Sequence, residues 1–414
     1  MEPGDLLKEW NIRSVRDMHV ATKRVLVRSD LDVPLDADGA VLDDARLRAA
    51  LPTLQHLRQQ EARLIVCGHL GEPKGKRAIK DSLEPVARWL AEALDCELLL
   101  PDDCIGDAAS HLVANQRAGQ VVLLENLRFQ PGERTNSDEF ARKLLDCCDV
   151  YVNDAFSTVH ENAASTVALP KMTPMRSAGL ALERELEVLS KLVTGPEMPY
   201  LAIVGGARVS EKIDLIEALL PQVSSLLLGG QMALTFLAAQ GRETGTSLIE
   251  RDHVARARHV LARCAERDLN VWLPLDHVVV TEFAPDAPTR VVEALDFAET
   301  DFAVDIGPRT VQLFTELLAG THPGTRSSPR TVLWNGPMGH VEVDRFSAGT
   351  WSVAKAIAQT AAHSVIIGNE TAAAVRRAGV TPLLSHVSTG GLAALEFLAG
   401  RQMPGIAALR GGRR

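Results

Sequence analysis

The chain lacks the two sequence motifs that most often mark a nucleotide site. No GxxxxGK[ST] sequence is present, which argues against a P-loop, and no GxGxxG sequence opens a helix, which argues against a dinucleotide site of the Rossmann type. The six cysteines form no CxxC pair and show no metal-ligand spacing. We therefore expect reduced thiols in a cytoplasmic protein, with Cys67 serving as a small apolar side chain in a strand.

Membrane insertion, secretion and nucleic-acid binding are disfavoured by further absences. No apolar run reaches the roughly 18 residues that a membrane span needs. Met1–Asp5 is acidic and lacks the apolar segment of a secretory signal. The net charge of −9 argues against a general nucleic-acid-binding protein. A chain of 414 residues exceeds the usual size of one domain, so two domains are expected.

Short apolar runs alternate with amphipathic stretches along the whole chain. The alternation predicts βαβ units and a mainly parallel sheet. In the first part, helices are predicted over Ala45–Gln60 and Ser82–Leu94, and a further helix over Leu180–Val193 separates this part from a second βα series that starts at Tyr200. The strands predicted in the first part are Arg24–Arg28, Leu64–Cys67, Val121–Leu124 and Val150–Val152.

Five apolar runs in the second half end in glycine or a small polar residue. The loops that follow them are Gly205-Gly206, Gly229-Gly230, Trp334–Gly339, Gly368-Asn369 and Gly390-Gly391. Glycine lets backbone N–H groups approach an anion closely, and the N-terminus of a following helix adds its partial positive charge. We interpret the set as one polyphosphate site at the carboxyl edge of a parallel sheet. The alternative for any single loop is a tight turn that needs glycine for steric reasons.

Polar and charged side chains, rather than glycines, follow the predicted strands of the first half. They are Arg28, Asp30 and Asp32, then His69, then Glu125, Asn126 and Arg128, then Asn153, Asp154 and His160, with Arg46 at a helix start. Open α/β sheets bind their ligands at this edge. The guanidinium groups of Arg28, Arg46 and Arg128 suit a carboxylate or a phosphate. Ordinary surface ion pairing is the alternative for each arginine taken alone.

Charged residues also flank the glycine loops of the second half. Arg208 and Lys212 follow the first glycine pair, where a cation can contact nucleotide phosphates. Glu342 follows Asn335 closely and could accept hydrogen bonds from ribose hydroxyls. Glu370 stands at a predicted helix start, where a carboxylate could hold Mg²⁺ or simply interact with the helix dipole.

The ordered set of motifs resembles the phosphoglycerate kinase family over nearly the whole chain. The motifs are VRSDLDVP (27–34), GHLGEP (68–73), ENLRF (125–129), YVNDAF (151–156), GGARVSEKI (205–213), GGQMALTF (229–236), VDIGP (304–308), WNGPMG (334–339) and SHVSTGG (385–391). The resemblance implies an α/β protein with two doubly wound parallel-sheet domains joined by a hinge helix. Its expected parts are an N-terminal acceptor-binding domain (1–179), an inter-domain helix (180–195), a C-terminal nucleotide-binding domain (196–391) and a segment returning toward the first domain (392–414).

The resemblance also implies the chemistry. An acidic acceptor would bind the first domain and a Mg²⁺-nucleotide the second, and hinge closure would bring them together for phosphoryl transfer to a carboxylate, giving an acyl phosphate. Mg²⁺ is the expected cofactor, and ATP or ADP is the expected nucleotide substrate. We expect a cytoplasmic monomer whose partners are these small molecules, with no nucleic acid and no membrane.

Site residues are carried over only where a motif matches. The catalytic residues so implied are Arg46, Lys212 and Arg208, with Arg46 in the place of the arginine that stabilises the transferring phosphoryl group. The implied acceptor-binding residues are Arg28, Asp30, Asp32, His69, Glu72, Arg128, His160 and Glu161. The implied nucleotide-binding residues are Gly205, Gly206, Arg208, Lys212, Gly230, Asn335, Pro337, Glu342, Gly368, Thr371, Gly390 and Gly391. Glu370 takes the position of the metal-binding aspartate.

Several positions depart from the family pattern. In the acceptor half, Glu72 and Glu161 replace arginines, and the other changes there are Asp32 for asparagine and Ala163 for histidine. In the nucleotide half, Arg208 replaces a lysine and Glu370 an aspartate, while glycines are replaced by Gln231, Asn369 and Leu392. A close charge pair is worth about 4 kcal/mol at an effective dielectric constant near 20. Two reversed charges would therefore weaken the binding of 3-phosphoglycerate strongly.

We therefore predict an ATP-dependent carboxylate kinase of this family whose acceptor is not 3-phosphoglycerate but carries a cationic or neutral hydrogen-bonding end. One alternative is ordinary glycolytic phosphoglycerate kinase, which transfers phosphate between ATP and 3-phosphoglycerate. A second alternative is a non-catalytic nucleotide-binding paralogue. Retention of Arg46, Lys212, Glu342 and Asn335 argues against the paralogue, and Leu392 argues for it.

Overall fold

The computed structural model describes residues 5–73, 75–117, 119–325 and 327–411. The chain divides into two compact units, one formed by Met1–Leu189 with Gln402–Arg414 and the other by Ser190–Arg401. The outer ends of the predicted first domain and of the predicted C-terminal segment, residues 1–4 and 412–414, lie outside the described residues. No helix in the described ranges is long and apolar enough to cross a membrane.

The first unit is built on a six-stranded sheet. Its strands are β1 (Arg24–Ser29), β2 (Arg63–Cys67), β3 (Leu98–Leu99), β4 (Val121–Leu123), β5 (Val150–Asp154) and β6 (Arg176–Ala178). They lie in the order β3-β4-β2-β1-β5-β6, and every neighbouring pair is parallel. The helices of this unit are α1 (Asp5–Glu9), α2 (Ala45–Gln59), α3 (Glu84–Leu94), α4 (Asp107–Ala114), α5 (Pro131–Arg134), α6 (Asp138–Leu145) and α7 (Leu169–Met172), with α16 (Pro404–Leu409) from the C-terminal segment.

The second unit contains two sheets. The larger consists of β7 (Tyr200–Val204), β8 (Ser225–Leu228), β9 (Asn270–Trp272), β13 (Thr331–Asn335), β14 (His363–Ile367) and β15 (His386–Val387), all parallel in the order β15-β14-β13-β7-β8-β9. The smaller is antiparallel, with β10 (Asp276–Val280) between β11 (Arg290–Glu293) and β12 (Phe302–Ile306). The helices are α9 (Ile213–Leu219), α10 (Met232–Ala239), α11 (Val254–Glu266), α12 (Pro308–Ala319), α13 (Ala348–Ala358), α14 (Asn369–Arg377) and α15 (Gly391–Leu398).

The inner strands of both large sheets are buried over their full length or over all but their first residue. Every residue of β5, β7 and β13 is buried, because helices cover both faces of a doubly wound sheet. Continuous apolar runs such as that of β7 are therefore more informative here than strict alternation. The predicted class of two parallel-sheet α/β domains is confirmed, whereas the antiparallel sheet was not predicted.

Helix α8 spans Leu180–Thr194 and includes the point where the two units divide. Its N-terminus is held by Asp154 at the end of β5, whose carboxylate accepts hydrogen bonds from the N–H groups of Ala181 (2.8 Å) and Leu182 (3.3 Å). Gly179 allows this approach, since a Cβ there would lie 2.2 Å from Asp154 Oδ1. Burial raises the pKa of Asp154 to about 7.

All six cysteines lie in the described part of the chain, and all are free thiols. Cys67, Cys104, Cys147, Cys148 and Cys264 are buried, and only Cys96 among the six is partly exposed. Burial raises the pKa of the Cys67 thiol, as is usual for a thiol inside an apolar strand.

Candidate active site

The polar residues that follow the strands of the first unit meet at one edge of its sheet, because parallel strands end on the same side. Asp30, just after β1, is buried, and its Oδ1 lies 3.4 Å from Arg46 Nη1 at the start of α2. Arg46 also donates to the backbone oxygen of Asp32 at 2.7 Å and lies 3.6 Å from the Asp32 carboxylate. Burial raises the pKa of Asp30, and the positive charge of Arg46 opposes that shift.

His69 and Arg28 are buried at this edge of the sheet. His69 follows β2 and is only 3% exposed, and its Nδ1 lies 2.8 Å from Nη2 of Arg28. Burial lowers the pKa of His69 well below its ordinary value, and the neighbouring arginines, with Arg28 first, lower it further. His69 is therefore neutral at physiological pH.

Arg128, after β4, is the centre of an ion-pair cluster. Its Nη1 donates to Glu72 at 2.5 Å, and its Nη2 donates to the two carboxylate oxygens of Glu161 at 2.8 and 3.0 Å. Arg134 forms a second ion pair with Glu72. The cluster thus contains two arginines and two glutamates, and its formal charges balance. The half-buried His160 immediately precedes Glu161.

In the second unit, the loops after β7, β8 and β13 pack backbone against backbone. Gly206 N donates to Pro337 O at 2.8 Å, and a Cβ on Gly230 would lie 2.6 Å from Gly206 N. A Cβ on Gly336 would lie 2.2 Å from Gly205 O. Three of the predicted phosphate loops therefore need glycine because a side chain would prevent the loops from contacting one another. This packing role is separate from any contact of the same glycines with an anion.

This packing predicts a large difference between two glycine substitutions. Gly336 and Gly241 belong to the same unit and both have positive φ, +90° and +80°, but a Cβ on Gly241 meets nothing within 4 Å. Left-handed backbone costs an alanine about 1–2 kcal/mol at either site, and overpacking adds about 1–3 kcal/mol only at Gly336. We expect Gly336→Ala to lower the urea unfolding midpoint of the second unit clearly more than Gly241→Ala does. Equal losses would contradict the packing argument.

Lys212 and Glu370 lie on the same side of these loops. Lys212 precedes α9 and is half-buried, and burial lowers its pKa while Glu211 and Glu370 act in the opposite direction. Glu370 is exposed in the first turn of α14. Arg208, in contrast, is largely exposed and pairs with Glu211 at 3.5 Å.

Asn335 and Thr371 tie the β13 loop to its neighbours. Asn335, fully buried at the end of β13, donates through Nδ2 to the backbone oxygen of Ile367 at 2.8 Å. Thr371 Oγ1 accepts a hydrogen bond from Gly336 N at 2.7 Å. Asn335 Oδ1 is buried and has no hydrogen-bond partner among the described residues, so one acceptor remains for a ligand or a water molecule. Gly368, with φ of +98°, places the start of α14 against Asn335.

A small open cleft runs beside these loops. Predicted residues that line it are Gly206, Gly230, Pro337, Glu342 and Glu370. It also contains His277, Asp305 and His340, which sequence reasoning did not select. Asp305 lies in the VDIGP motif and His340 directly follows the WNGPMG motif, so these motifs could have indicated both residues. His277 on β10 lies in no such motif. Burial lowers the pKa of His277 to about 4.

The remaining predicted phosphate loop begins α15. Gly390 N donates to Ser388 Oγ at 3.1 Å, and Gly391 has a φ of +53°. Leu392, which replaces a family glycine, is 55% exposed, and Asn369 is exposed as well. Gln231 is the third such replacement, and it lines the cleft.

The buried carboxylate of Asp305 predicts a pH dependence of stability. It accepts from Ile306 N at 2.9 Å and Gly349 N at 2.8 Å, yet burial raises its pKa to about 7. The folded protein then binds this proton more tightly than the unfolded chain does, so the contribution of Asp305 to the free energy of unfolding falls as pH rises from about 4 to about 7. We expect Asp305→Asn to lose this contribution, so that its free energy of unfolding, measured in urea at several pH values, falls less over this range than that of the wild type, in which Asp154 and His277 titrate as well. An unchanged slope would show that Asp305 does not carry it.

Known proteins are similar to this chain over nearly its whole length. A family model described as phosphoglycerate kinase matches residues 15–401. The phosphoglycerate kinase of Pelotomaculum thermopropionicum is 45% identical over 397 residues, covering 96% of this chain and 98% of the relative. That of Anaeromyxobacter dehalogenans is 44% identical, covering 96% and 99%. The phosphoglycerate kinase structure from Coxiella burnetii is 36% identical, with a TM-score of 0.82 and coverage of 96% and 98%.

The chain belongs to the phosphoglycerate kinase family. The predicted family is thereby confirmed over nearly the whole chain, and so is a nucleotide-binding phosphotransferase of the kinase class. The roles of the individual site residues stay predictions.

The prediction of an acceptor other than 3-phosphoglycerate was wrong. Relatives at 42–45% identity over about 96% of the chain are phosphoglycerate kinases, which favours the ordinary reaction. The prediction assumed that Glu72 and Glu161 face the acceptor as unpaired negative charges. In the structure, Arg128 pairs with both glutamates and Arg134 pairs again with Glu72. The two glutamates are therefore not the unpaired charges that the prediction assumed.

Proposed function

We propose that this protein is a phosphoglycerate kinase, which transfers the γ-phosphoryl group of ATP to the carboxylate of 3-phosphoglycerate. The observation that carries the proposal is the similarity to named phosphoglycerate kinases over 96% of the chain. A carboxylate oxygen attacks the γ-phosphorus, the bond from phosphorus to the β–γ bridging oxygen breaks, and ADP leaves with the electron pair. No general base is needed, because the attacking carboxylate is already ionised at neutral pH.

The acceptor half of the mechanism uses the polar edge of the first unit. Arg46 stabilises the negative charge of the transferring phosphoryl group, and Asp30 orients Arg46 through the contact described above. His69 donates a hydrogen bond to the acceptor. The phosphate of 3-phosphoglycerate takes the place of one carboxylate on Arg128, which keeps that guanidinium paired through two N–H groups.

The nucleotide half uses the glycine loops of the second unit. Lys212 contacts the nucleotide phosphates, and Glu342 accepts hydrogen bonds from the ribose hydroxyls. The exposed carboxylate of Glu370 fits Mg²⁺, which prefers oxygen ligands and is commonly held by one or two carboxylates plus substrate phosphates. Within the described ranges, no group of three or more His, Cys, Asp and Glu side chains forms a metal cage, in keeping with an ion that arrives with the nucleotide. Mg²⁺ would supply charge neutralisation between the β- and γ-phosphates.

Because the two substrates are assigned to different units, we propose that the units close about the hinge helix α8 during the reaction. We also propose that the protein is active as a monomer.

A turnover assay with the full-length chain tests the proposal. MgATP is supplied with 3-phosphoglycerate, glycerate or acetate, ADP release is followed, and hydroxylamine traps any acyl phosphate as a hydroxamate. We expect ADP release and hydroxamate with 3-phosphoglycerate only, and loss of both after Mg²⁺ is chelated. ADP release at the ATP-only background with 3-phosphoglycerate would overturn the proposed reaction, and nucleotide binding without turnover would favour a non-catalytic paralogue.

A further inference from the structure

A buried chain of hydrogen bonds in the first unit leads from a glutamate to His69. Glu133 accepts from Ser165 through both the hydroxyl (2.5 Å) and the backbone N–H (3.0 Å). Ser165 Oγ in turn accepts from Arg28 Nε at 3.1 Å, and Arg28 Nη1 donates to Ser29 O at 2.6 Å. The remaining terminal nitrogen, Nη2, lies 2.8 Å from His69 Nδ1. Glu133, Ser165, Arg28 and His69 are each at most 5% exposed.

The chemistry of the guanidinium group fixes which nitrogen of His69 carries the proton. Arginine offers only N–H donors and no acceptor, and it stays protonated inside proteins. His69 Nδ1 must therefore accept the hydrogen bond from Nη2. A neutral imidazole that accepts through Nδ1 carries its hydrogen on Nε2. The opposite tautomer would place two N–H groups against each other in a buried site.

The second ring nitrogen of His69, Nε2, faces the polar edge of the first unit, where the acceptor is proposed to bind. His69 Nε2 lies 3.8 Å from Asp32 Oδ2, while Asp32 Oδ1 accepts from Gly71 N at 2.8 Å. Asp32 is the more open member of this pair, since its side chain is 38% exposed and that of His69 only 4%. An N–H on Nε2 thus points toward a negatively charged, solvent-facing position.

We propose that Arg28 is a positioning residue that locks His69 in the Nε2–H tautomer, so that His69 presents a permanent hydrogen-bond donor, and not a base, to the acceptor. Ser165 and Glu133 hold the guanidinium in the orientation that this requires. The sequence placed Arg28 among the residues that contact the acceptor, whereas its 1% exposure and its three partners assign it a role behind His69. The tautomer itself is independent of the reaction, and only the identity of the acceptor rests on the proposed function.

The first experiment needs no variant. Long-range ¹H–¹⁵N correlation spectra of the full-length protein labelled at histidine distinguish the two tautomers, and His69→Gln identifies the signals of His69. We expect the Nε2–H pattern, unchanged between about pH 6 and pH 8, and a shift of the Nε2–H signal when 3-phosphoglycerate is added. A wild-type His69 that is protonated on Nδ1, that populates both tautomers, or that titrates in this range would overturn the proposal.

Variants then test the role of Arg28. Ser165→Ala releases Nε of Arg28, Arg28→Met removes all of its donors, and Arg24→Met serves as the matched control. Arg24 starts the same strand at its opposite end and pairs with Asp149 at 2.7 Å. We expect Arg28→Met to produce a mixture of His69 tautomers and to raise KM for 3-phosphoglycerate about tenfold or more, the loss of one well-oriented donor. KM for ATP should stay within about twofold, and Arg24→Met should change neither quantity.

These outcomes separate the proposal from the assigned reaction. If Arg28→Met fails to fold, Ser165→Ala, which keeps the buried charge, supplies the same spectroscopic test with a smaller tautomer change. An unchanged tautomer in every variant that folds would overturn the role of Arg28. A protein that shows the Nε2–H tautomer but no turnover of 3-phosphoglycerate would retain the positioning role and reject the proposed function.

Discussion

Replacing Arg46 with alanine is expected to lower kcat by about 10²- to 10⁵-fold while KM for ATP stays within about twofold. The reason is the position of the guanidinium. It belongs to the acceptor unit, is held by Asp30 and by the backbone of Asp32, and is proposed to act on charge that develops only in the transition state. A group that acts in this way changes kcat more than it changes nucleotide binding.

Steady-state ADP release, measured against both substrates, provides the test. Arg48→Ala is the matched control, because Arg48 lies two residues further along α2 and forms a surface ion pair with Asp44. Arg46→Lys should recover only part of the lost kcat, since an ammonium group cannot form the bidentate hydrogen bonds of a guanidinium group. An Arg46→Ala enzyme that retains most of its kcat would show that the carried-over role is wrong.

Lys212→Met is expected to lower kcat/KM for MgATP by about 10²- to 10³-fold. Lys212 is half-buried beside the Gly206 loop, and burial already lowers the pKa of its ammonium group, so the charge is poorly solvated before the nucleotide arrives. A phosphate that replaces the missing water gains a strong charge-assisted contact.

Isothermal titration of the full-length protein with MgADP and MgATP separates binding from catalysis. Lys355→Met is the control, because Lys355 is an exposed lysine in the last turn of α13 of the same unit. We expect weaker binding of both nucleotides to Lys212→Met and unchanged binding to Lys355→Met. Wild-type affinity in Lys212→Met would remove the lysine from the nucleotide site.

The arrangement of the sites followed from one regularity of the sequence. Residues such as Asp30, His69 and Arg128 come directly after apolar strands, and parallel strands end on one side of a sheet, so their meeting at one edge could be predicted without coordinates. The same holds for the loops at Gly205, Gly336 and Gly368. Local sequence is sufficient here because each residue's position depends only on where its own strand ends.

Interactions between distant segments could not be predicted in this way. The pairing of Glu72 with Arg128 and Arg134 depends on side-chain directions that no local pattern encodes, and it removed the basis for an altered acceptor. Similarly, the link from Arg28 to Ser165 joins residues 137 positions apart. The antiparallel sheet that carries His277 was missed because its strands interrupt the βα alternation on which the prediction relied.

The distribution of the thiols allows each unit to report on its own unfolding. Five cysteines belong to the first unit, and Cys264 is the one cysteine of the second, all six lying within the described residues. Alkylation of the native protein should modify Cys96 first, which gives a dye attachment point in the first unit without mutagenesis. During denaturation, labelling of Cys264 follows the opening of the second unit alone. Mass spectrometry of a single pulse-labelled sample can therefore measure the stabilities of the two units separately, with and without nucleotide.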